Sequence, residues 1–185
     1  GFPSAWFYND ELVAAAEVKN RGLLAYDTPL VWINTDASDS SEAQLEGSLS
    51  KINSTEANVL IETLHEYIEK IGKERILDEK IDFGLISPYK AQIQYIRSLI
   101  KKDGYFKPFK KLITVHTVDG FQGQERDVIV ISLVRSNNEG QIGFLQDLRR
   151  MNVAITRARM KLIILGNAST LTKHSFYKQL FDYIK

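Results

Sequence analysis

The chain has 185 residues, 44% hydrophobic and 25% charged, with a net charge of +1 and no cysteine. That leaves room for one domain with a substantial core, and it excludes disulfides, thiolate metal sites and cysteine nucleophiles. With so small a net charge, any site for a polyanion must come from local clustering of basic residues.

The chain opens on "GFPSAWFYNDEL" (1–12), which reads as the middle of a longer protein and carries no signal-peptide pattern. "TPLVWIN" (28–34) predicts a strand, and the polar, Ser-rich 35–52 stretch predicts a loop or insertion. Asn53 or Ser54 stands before Glu56 as a helix-capping signal. Ala57, Leu60, Ile61, Leu64, Ile68 and Ile71 then recur at helical spacing. "IDFGLIS" (81–87) predicts a strand ending at Pro88, and "YKAQIQYIRSLIKK" (89–102) a helix. "KLITVHTV" (111–118) and the β-branched run "DVIVISLV" (127–134) predict strands, separated by the glycine-punctuated loop "DGFQGQE" (119–125). "FLQDLRRMNVAITRAR" (144–159) predicts a helix, "KLIILG" (161–166) a strand, and "STLTKHSFYKQLFDYI" (169–184) a closing helix.

Strands alternating with helices predict an α/β fold: a mostly parallel sheet flanked by helices, with ligands at the carboxyl ends of strands. Three unusual segments are expected at such ends: "SPYKAQ", "TVDGFQGQE" and "VRSNNEG".

The densest chemistry is in "DLRRMNVAITRAR" (147–159), with four arginines and Asp147 as its only acid. At 100° per residue a continuous helix would stack Arg150, Ala154 and Arg157 on one face. Two guanidiniums above a small alanine would suit a phosphate, whose oxygens match arginine's planar fork. The blander reading is that these arginines pair with acids elsewhere or cover apolar surface with their stems. Gly120 and Gly123 permit tight turns, and Gln122, Gln124 and Glu125 could read a sugar or phosphate. Ser87, Tyr89 and Lys90 follow a strand at a helix start, a place where anions are held. No Walker pattern occurs in the chain, no nucleophile–base pair is evident, and three scattered histidines (His65, His116, His174) predict no metal site.

An anion site lacking its own catalyst is what an arginine-finger donor would look like. "TVDGFQGQERDVIVISLVRSN" (117–137), "GFLQDLRRMNVAITRAR" (143–159) and "LIILGN" (162–167) closely resemble motifs V and VI of superfamily 1 helicases. "LISPYKAQ" (85–92) and "NSTEANVL" (53–60) resemble further elements of the subgroup that includes the nonsense-mediated-decay and senataxin-type helicases. The resemblance covers nearly the whole chain. It implies a second, C-terminal RecA-like domain spanning 1–185, with a three-layer fold.

In that family ATP and Mg2+ are bound mainly by a first, N-terminal RecA-like domain, whose Walker motifs are not in this sequence; the chain alone would then be inactive. The resemblance implies Arg157 as the arginine finger, with Gly123, Glu125 and Arg150 at the nucleotide. It implies Thr117, Ser87, Pro88 and Tyr89 as contacts to single-stranded DNA or RNA. The expected setting is soluble and intracellular (cytoplasmic if bacterial), with no membrane span. Two alternatives stand beside the motor reading: a catalytically silent nucleic-acid-binding module, and a structural domain whose arginines hold a partner.

Overall fold

The computed structural model describes residues 24, 27–36, 41–44 and 50–184. The opening "GFPSAWFYNDEL" and much of the Ser-rich stretch lie outside the described residues. In chain order the elements are β1 (Leu30–Asn34), β2 (Ala43–Gln44), β3 (Lys51–Ile52), α1 (Ser54–Ile71), α2 (Lys73–Glu79), β4 (Phe83–Ile86), α3 (Lys90–Lys102), β5 (Ile113–His116), β6 (Arg126–Ser132), α4 (Leu148–Ile155), β7 (Ala158–Gly166), α5 (Ala168–Leu171) and α6 (Ser175–Ile184). Single 3-10 turns cover Gly104–Phe109, Val118–Phe121 and Gly143–Gln146. None of the helices among the described residues is long and apolar enough to cross a membrane.

Five strands form one parallel sheet in the order β1-β7-β6-β4-β5. Alternate side chains of the central strands enter opposite layers, as the two-residue period of a strand requires. Val128, Val130, Ile163 and Leu165 pack with Leu60, Leu64 and Ile68 of α1 and with Ile96 of α3. Ile129, Ile131, Leu162 and Ile164 pack on the other side with Met151, Ala154 and Ile155 of α4 and with Phe176, Tyr177 and Leu180 of α6. The result is a three-layer RecA-like α/β domain. Gly84 marks how tightly the second layer closes: a Cβ there would meet Ile129 Cδ1 at 2.7 Å and Phe121 Cε1 at 2.8 Å.

Four sequence expectations change. The 35–52 stretch is not wholly a loop, because β2 and β3 pair antiparallel within it. The segment after Ile71 forms α2, which had no assignment. The closing helix is two helices: Asn167 caps α5, and the chain turns at residues 172–174, where the His174 ring sits 2.6 Å from the Gly140 carbonyl oxygen. Most consequentially, the arginine helix stops at Ile155. The Arg126 N–H donates to the Arg157 carbonyl (2.9 Å), and Ala158 pairs with Arg126, so residues 158 onward are recruited into β7. Edge-to-edge pairing with β6 overrides the helical propensity of "ARMK".

Candidate functional site

Because every strand of the sheet runs the same way, the domain has two distinct rims. The carboxyl ends of β4, β5 and β6 lead into Ser87–Tyr89, Thr117 and the 133–147 connection. The amino ends of β4, β6 and β7 are preceded by Asp82, Gln122–Glu125 and Thr156–Arg157. The expectation that all three unusual segments meet at the carboxyl ends is therefore corrected. Thr117 sits there, but the chain then crosses the sheet face through the buried Val118 and Phe121 and delivers Gly123 and Glu125 to the amino-end rim.

The carboxyl-end rim is built around buried charge. Glu56, 0% exposed, does not reach back to close a capping box; the cap is Asn53, whose Oδ1 accepts from the Glu56 N–H (3.0 Å). The Glu56 carboxylate instead enters the core, where Oε1 accepts from the Ser132 hydroxyl (2.6 Å) and the Val134 N–H (2.8 Å). Burial pushes its pKa up to about 7, against the hydrogen bonds that favour the charged form. Val134 lies in the left-handed region at φ 70°, uncommon for a β-branched residue. Its carbonyl accepts from Asn53 Nδ2 (2.9 Å), so α1 clamps the strained residue from both sides.

The next residue completes the rim. Arg135, with 6% side-chain exposure, makes a two-pronged pair with Glu42 (Nε–Oε2 2.6 Å, Nη2–Oε1 3.2 Å) and donates to the Tyr89 hydroxyl (3.2 Å). Burial alone would raise the Glu42 pKa, but the bonds from Arg135, Ser136 N–H and Asn137 outweigh it and hold the carboxyl below its usual range. Glu42 thus fastens the polar stretch to the sheet. Glu42 and Arg135 were not singled out from the sequence, and Glu56 only as part of a capping signal. A glutamate one turn into a helix looks like a cap, and a buried arginine looks like any other.

Within the carboxyl-end set, the structure brings Ser87, Pro88 and Tyr89 together but encloses two of them. Ser87 and Tyr89 are 0% and 1% exposed. The Ser87 hydroxyl accepts from the Tyr89 N–H (3.4 Å), and the Tyr89 ring stacks on the exposed Phe144 (5.0 Å between centroids). The segment's outer surface is therefore Pro88. Thr117 is half-buried, with His116 Nδ1 3.2 Å from its hydroxyl. Gly120 is required behind it, since a Cβ would meet the His116 ring at 2.1 Å.

The amino-end rim holds most of the proposed nucleotide residues. The β6–β7 register pairs Arg126 with Ala158, which sets Glu125 and Arg157 on adjacent strands, one residue outside the sheet. Gly123, at φ +71°, makes the turn into this position, and Glu125 is exposed. Arg126 holds the loop's shape: its guanidinium donates to the Glu125 carbonyl (2.8 Å), Gln124 Oε1 (2.9 Å) and Thr114 (3.3 Å). The sequence reading missed that role.

The four arginines now separate. Arg159 bridges Asp82 (2.9 Å) and Asp127 (3.1 Å). Arg150 pairs with Asp119 (2.8 Å), with Asp147 at 3.8 Å. It stands in the first turn of α4, and Arg157 lies past the last, about 10 Å further at 1.5 Å per residue. The helical face that was to stack Arg150 over Arg157 does not exist, because α4 ends between them. Arg149 is exposed. Arg157 alone is half-buried without an acid among the described residues: Nη2 reaches only the Thr156 hydroxyl (3.3 Å), and Nε is buried with no partner.

A family model described as "AAA domain" matches residues 1–169. Among curated relatives, the DNA polymerase alpha-associated DNA helicase A of Saccharomyces cerevisiae is 37% identical over 93% of this chain and 26% of its own length. Regulator of nonsense transcripts 1 of Dictyostelium discoideum is 39% identical over 100% of this chain and 14% of its own. Helicase sen1 of Schizosaccharomyces pombe is 35% identical over 98% of this chain and 11% of its own. The chain thus spans about a quarter or less of each of these relatives.

Proposed function

The chain belongs to the superfamily 1 helicases of the nonsense-mediated-decay and senataxin-like group, and from that premise we propose that it is the second motor domain of an ATP-driven DNA or RNA helicase, with Arg157 as the arginine finger. One observation carries this reading: the Arg157 guanidinium has a buried Nε with no hydrogen-bond partner and no acid among the described residues, beside two arginines that are fully ion-paired. A buried donor left unsatisfied costs stability, which a phosphate oxygen would relieve.

In this reading ATP lies between the amino-end rim and a separate Walker-type domain. Arg157 neutralises charge building on the γ-phosphate as the bond to the leaving phosphate loosens. Glu125, fixed through Arg126, accepts from the ribose hydroxyls, and Gly123 lets the backbone approach. Mg2+ would neutralise phosphate charge when bound with the nucleotide, and no residue of this chain is assigned to it. Arg150 holds the 3-10 turn after Thr117 through Asp119, a contact between the two rims and not a nucleotide contact. At the carboxyl-end rim Thr117 and Pro88 grip a single strand, so closure around ATP at one rim shifts the grip at the other.

The test is strand-stimulated ATP turnover by the full-length protein and its Arg157→Ala and Arg157→Lys variants. Loss of a transition-state donor predicts a fall of about a hundredfold to a thousandfold for alanine, with unchanged thermal unfolding. A turnover within twofold of wild type would leave Arg157 outside the chemistry and favour a binding or scaffold domain.

A further inference from the structure

α3 and the edge strand β5 enclose a trough on the open side of the sheet, and its chemistry is unlike that of either rim. At the upper end a cavity of about 210 Å3 is lined by Lys90, Gln94, Arg97, His116 and Thr117. At the lower end a larger one, about 770 Å3, is bounded by Arg97, Lys101, Lys102, Lys107 and Lys110 over Ile100, Ile113 and Val115. Arg97 lines both, so the two lie end to end along α3, a length of about 20 Å at 1.5 Å per residue.

The trough gathers six cations and one acid, Asp103, in a chain whose whole net charge is +1. Asp103 is spent on the turn, accepting from the Tyr105 N–H (3.0 Å). No ion pair involves any of the six cations among the described residues. Arg97 donates through Nε (3.0 Å) and Nη2 (2.6 Å) to the Val115 carbonyl, which leaves its charge unneutralised. The same two bonds occupy the free edge of β5, so a peptide cannot add there as a further strand without displacing them. A polyanion needs no such edge. It needs spaced cations along the path of its phosphates, as in positively charged grooves that track a nucleic-acid backbone, and the aliphatic floor offers contact to its sugars.

We propose that this trough is a second nucleic-acid track, leading away from Thr117 along β5 and holding the phosphates of the same strand beyond the motor's own grip. It rests on the reading of Thr117 as a strand contact. None of Lys101, Lys107 and Lys110 is among the residues assigned to the nucleotide or to the grip at Thr117, so they add affinity and processivity without taking part in ATP hydrolysis.

The experiment compares the full-length protein with a Lys101→Glu/Lys107→Glu/Lys110→Glu variant, measuring binding of fluorescein-labelled single strands of about 8 and about 20 nucleotides, as oligo-dT and oligo-U, across a salt series. Each phosphate contact contributes about 0.7 to the log–log salt slope for a single strand. The expected result is a loss of affinity on the order of tenfold and a slope shallower by about two for the longer strand. The shorter strand, filling only the grip at Thr117, should bind both proteins alike, and ATP turnover without a strand should be the same.

Equal affinity and slope for the longer strand, with wild-type binding intact, would overturn the trough alone and leave its cations to an acidic protein partner. Equal weakening of both lengths would overturn it as a separate track. Absence of salt-dependent strand binding by the wild type would overturn both the trough and the nucleic-acid reading of Thr117.

Discussion

The two rims of the sheet solve opposite problems. At the carboxyl ends, charge is buried and fully engaged: Arg135 with Glu42 and Tyr89, Glu56 with Ser132 and Val134. At the amino ends, Asp82 and Asp127 are committed to Arg159, and Arg157 is left with an orphaned Nε among the described residues. A closed network holds the strained turn at Val134 and the "SPY" segment in place. The open arginine has a hydrogen-bond donor that no group among the described residues meets, which is the place the proposed reading gives to a phosphate oxygen. The closed network and the open arginine thus sit at different rims, and the contrast can be attacked from either side.

The largest stability effect is expected from Arg135→Ala, which leaves Glu42 without its cation in a partly enclosed site. Breaking such a pair costs about 3–5 kcal/mol, read as a fall in the urea midpoint. Arg157→Ala in the same experiment should shift stability by less than about 1 kcal/mol, since its Nε has no partner among the described residues and its one bond is to the neighbouring Thr156. Equal destabilisation by the two would erase the distinction between the rims.

Next in size is the pH dependence carried by Glu56. Its pKa of about 7 lies above the ordinary 4.5, so the folded state holds more protons between those values. Stability from this group is full below about pH 4.5 and is lost as pH rises through about 7, a change of about 3 kcal/mol at 1.36 kcal/mol per unit. Glu56→Gln, which can still accept from Ser132 and Val134, should flatten that decline in urea unfolding between pH 5 and pH 8. A wild-type curve already flat over this range would sink the assignment. Glu42, and Asp27 where burial is outweighed by the bonds it accepts from Lys161 Nζ (2.8 Å) and the Tyr67 hydroxyl (2.5 Å), are held below the ordinary carboxylate range, act in the opposite direction and lose their contribution in acid.

The smallest effect is expected from Arg150→Ala. Its pair with Asp119 is 47% and 66% exposed, worth about 0.2–1 kcal/mol, and turnover should fall by no more than a few-fold. A loss matching that of Arg157→Ala would return Arg150 to the nucleotide site and contradict the break in α4.

Much of the fold was legible in the sequence because periodicity is a local signal. The β-branched run at 127–134 and the 3.6-residue recurrence at 57–71 marked their elements to within a few residues. The short antiparallel pair within 35–52 was not legible, since two-residue strands have no period to read. Nor was the end of α4: "MNVAITRARM" is acceptable as helix throughout, and only β6 alongside it decides where strand begins. For the site, the motif pattern singled out Arg157, Gly123, Glu125 and Thr117 as residue types. It gave no sign that Ser87 and Tyr89 face inward, or that Glu56 is a core carboxylate.

The amino-acid sequence by itself determined the family, the alternation of strands and helices, and the candidate arginines, because each is written in side-chain identity and short-range spacing. Tertiary structure decided which of Arg150, Arg157 and Arg159 lacks an acid among the described residues. Arg150, Arg157 and Arg159 are chemically the same group within ten residues, and what separates them is the position of Asp119, Asp82 and Asp127, brought alongside from elsewhere in the chain. Whether a charge is satisfied depends on distance in space, which the order of residues does not specify.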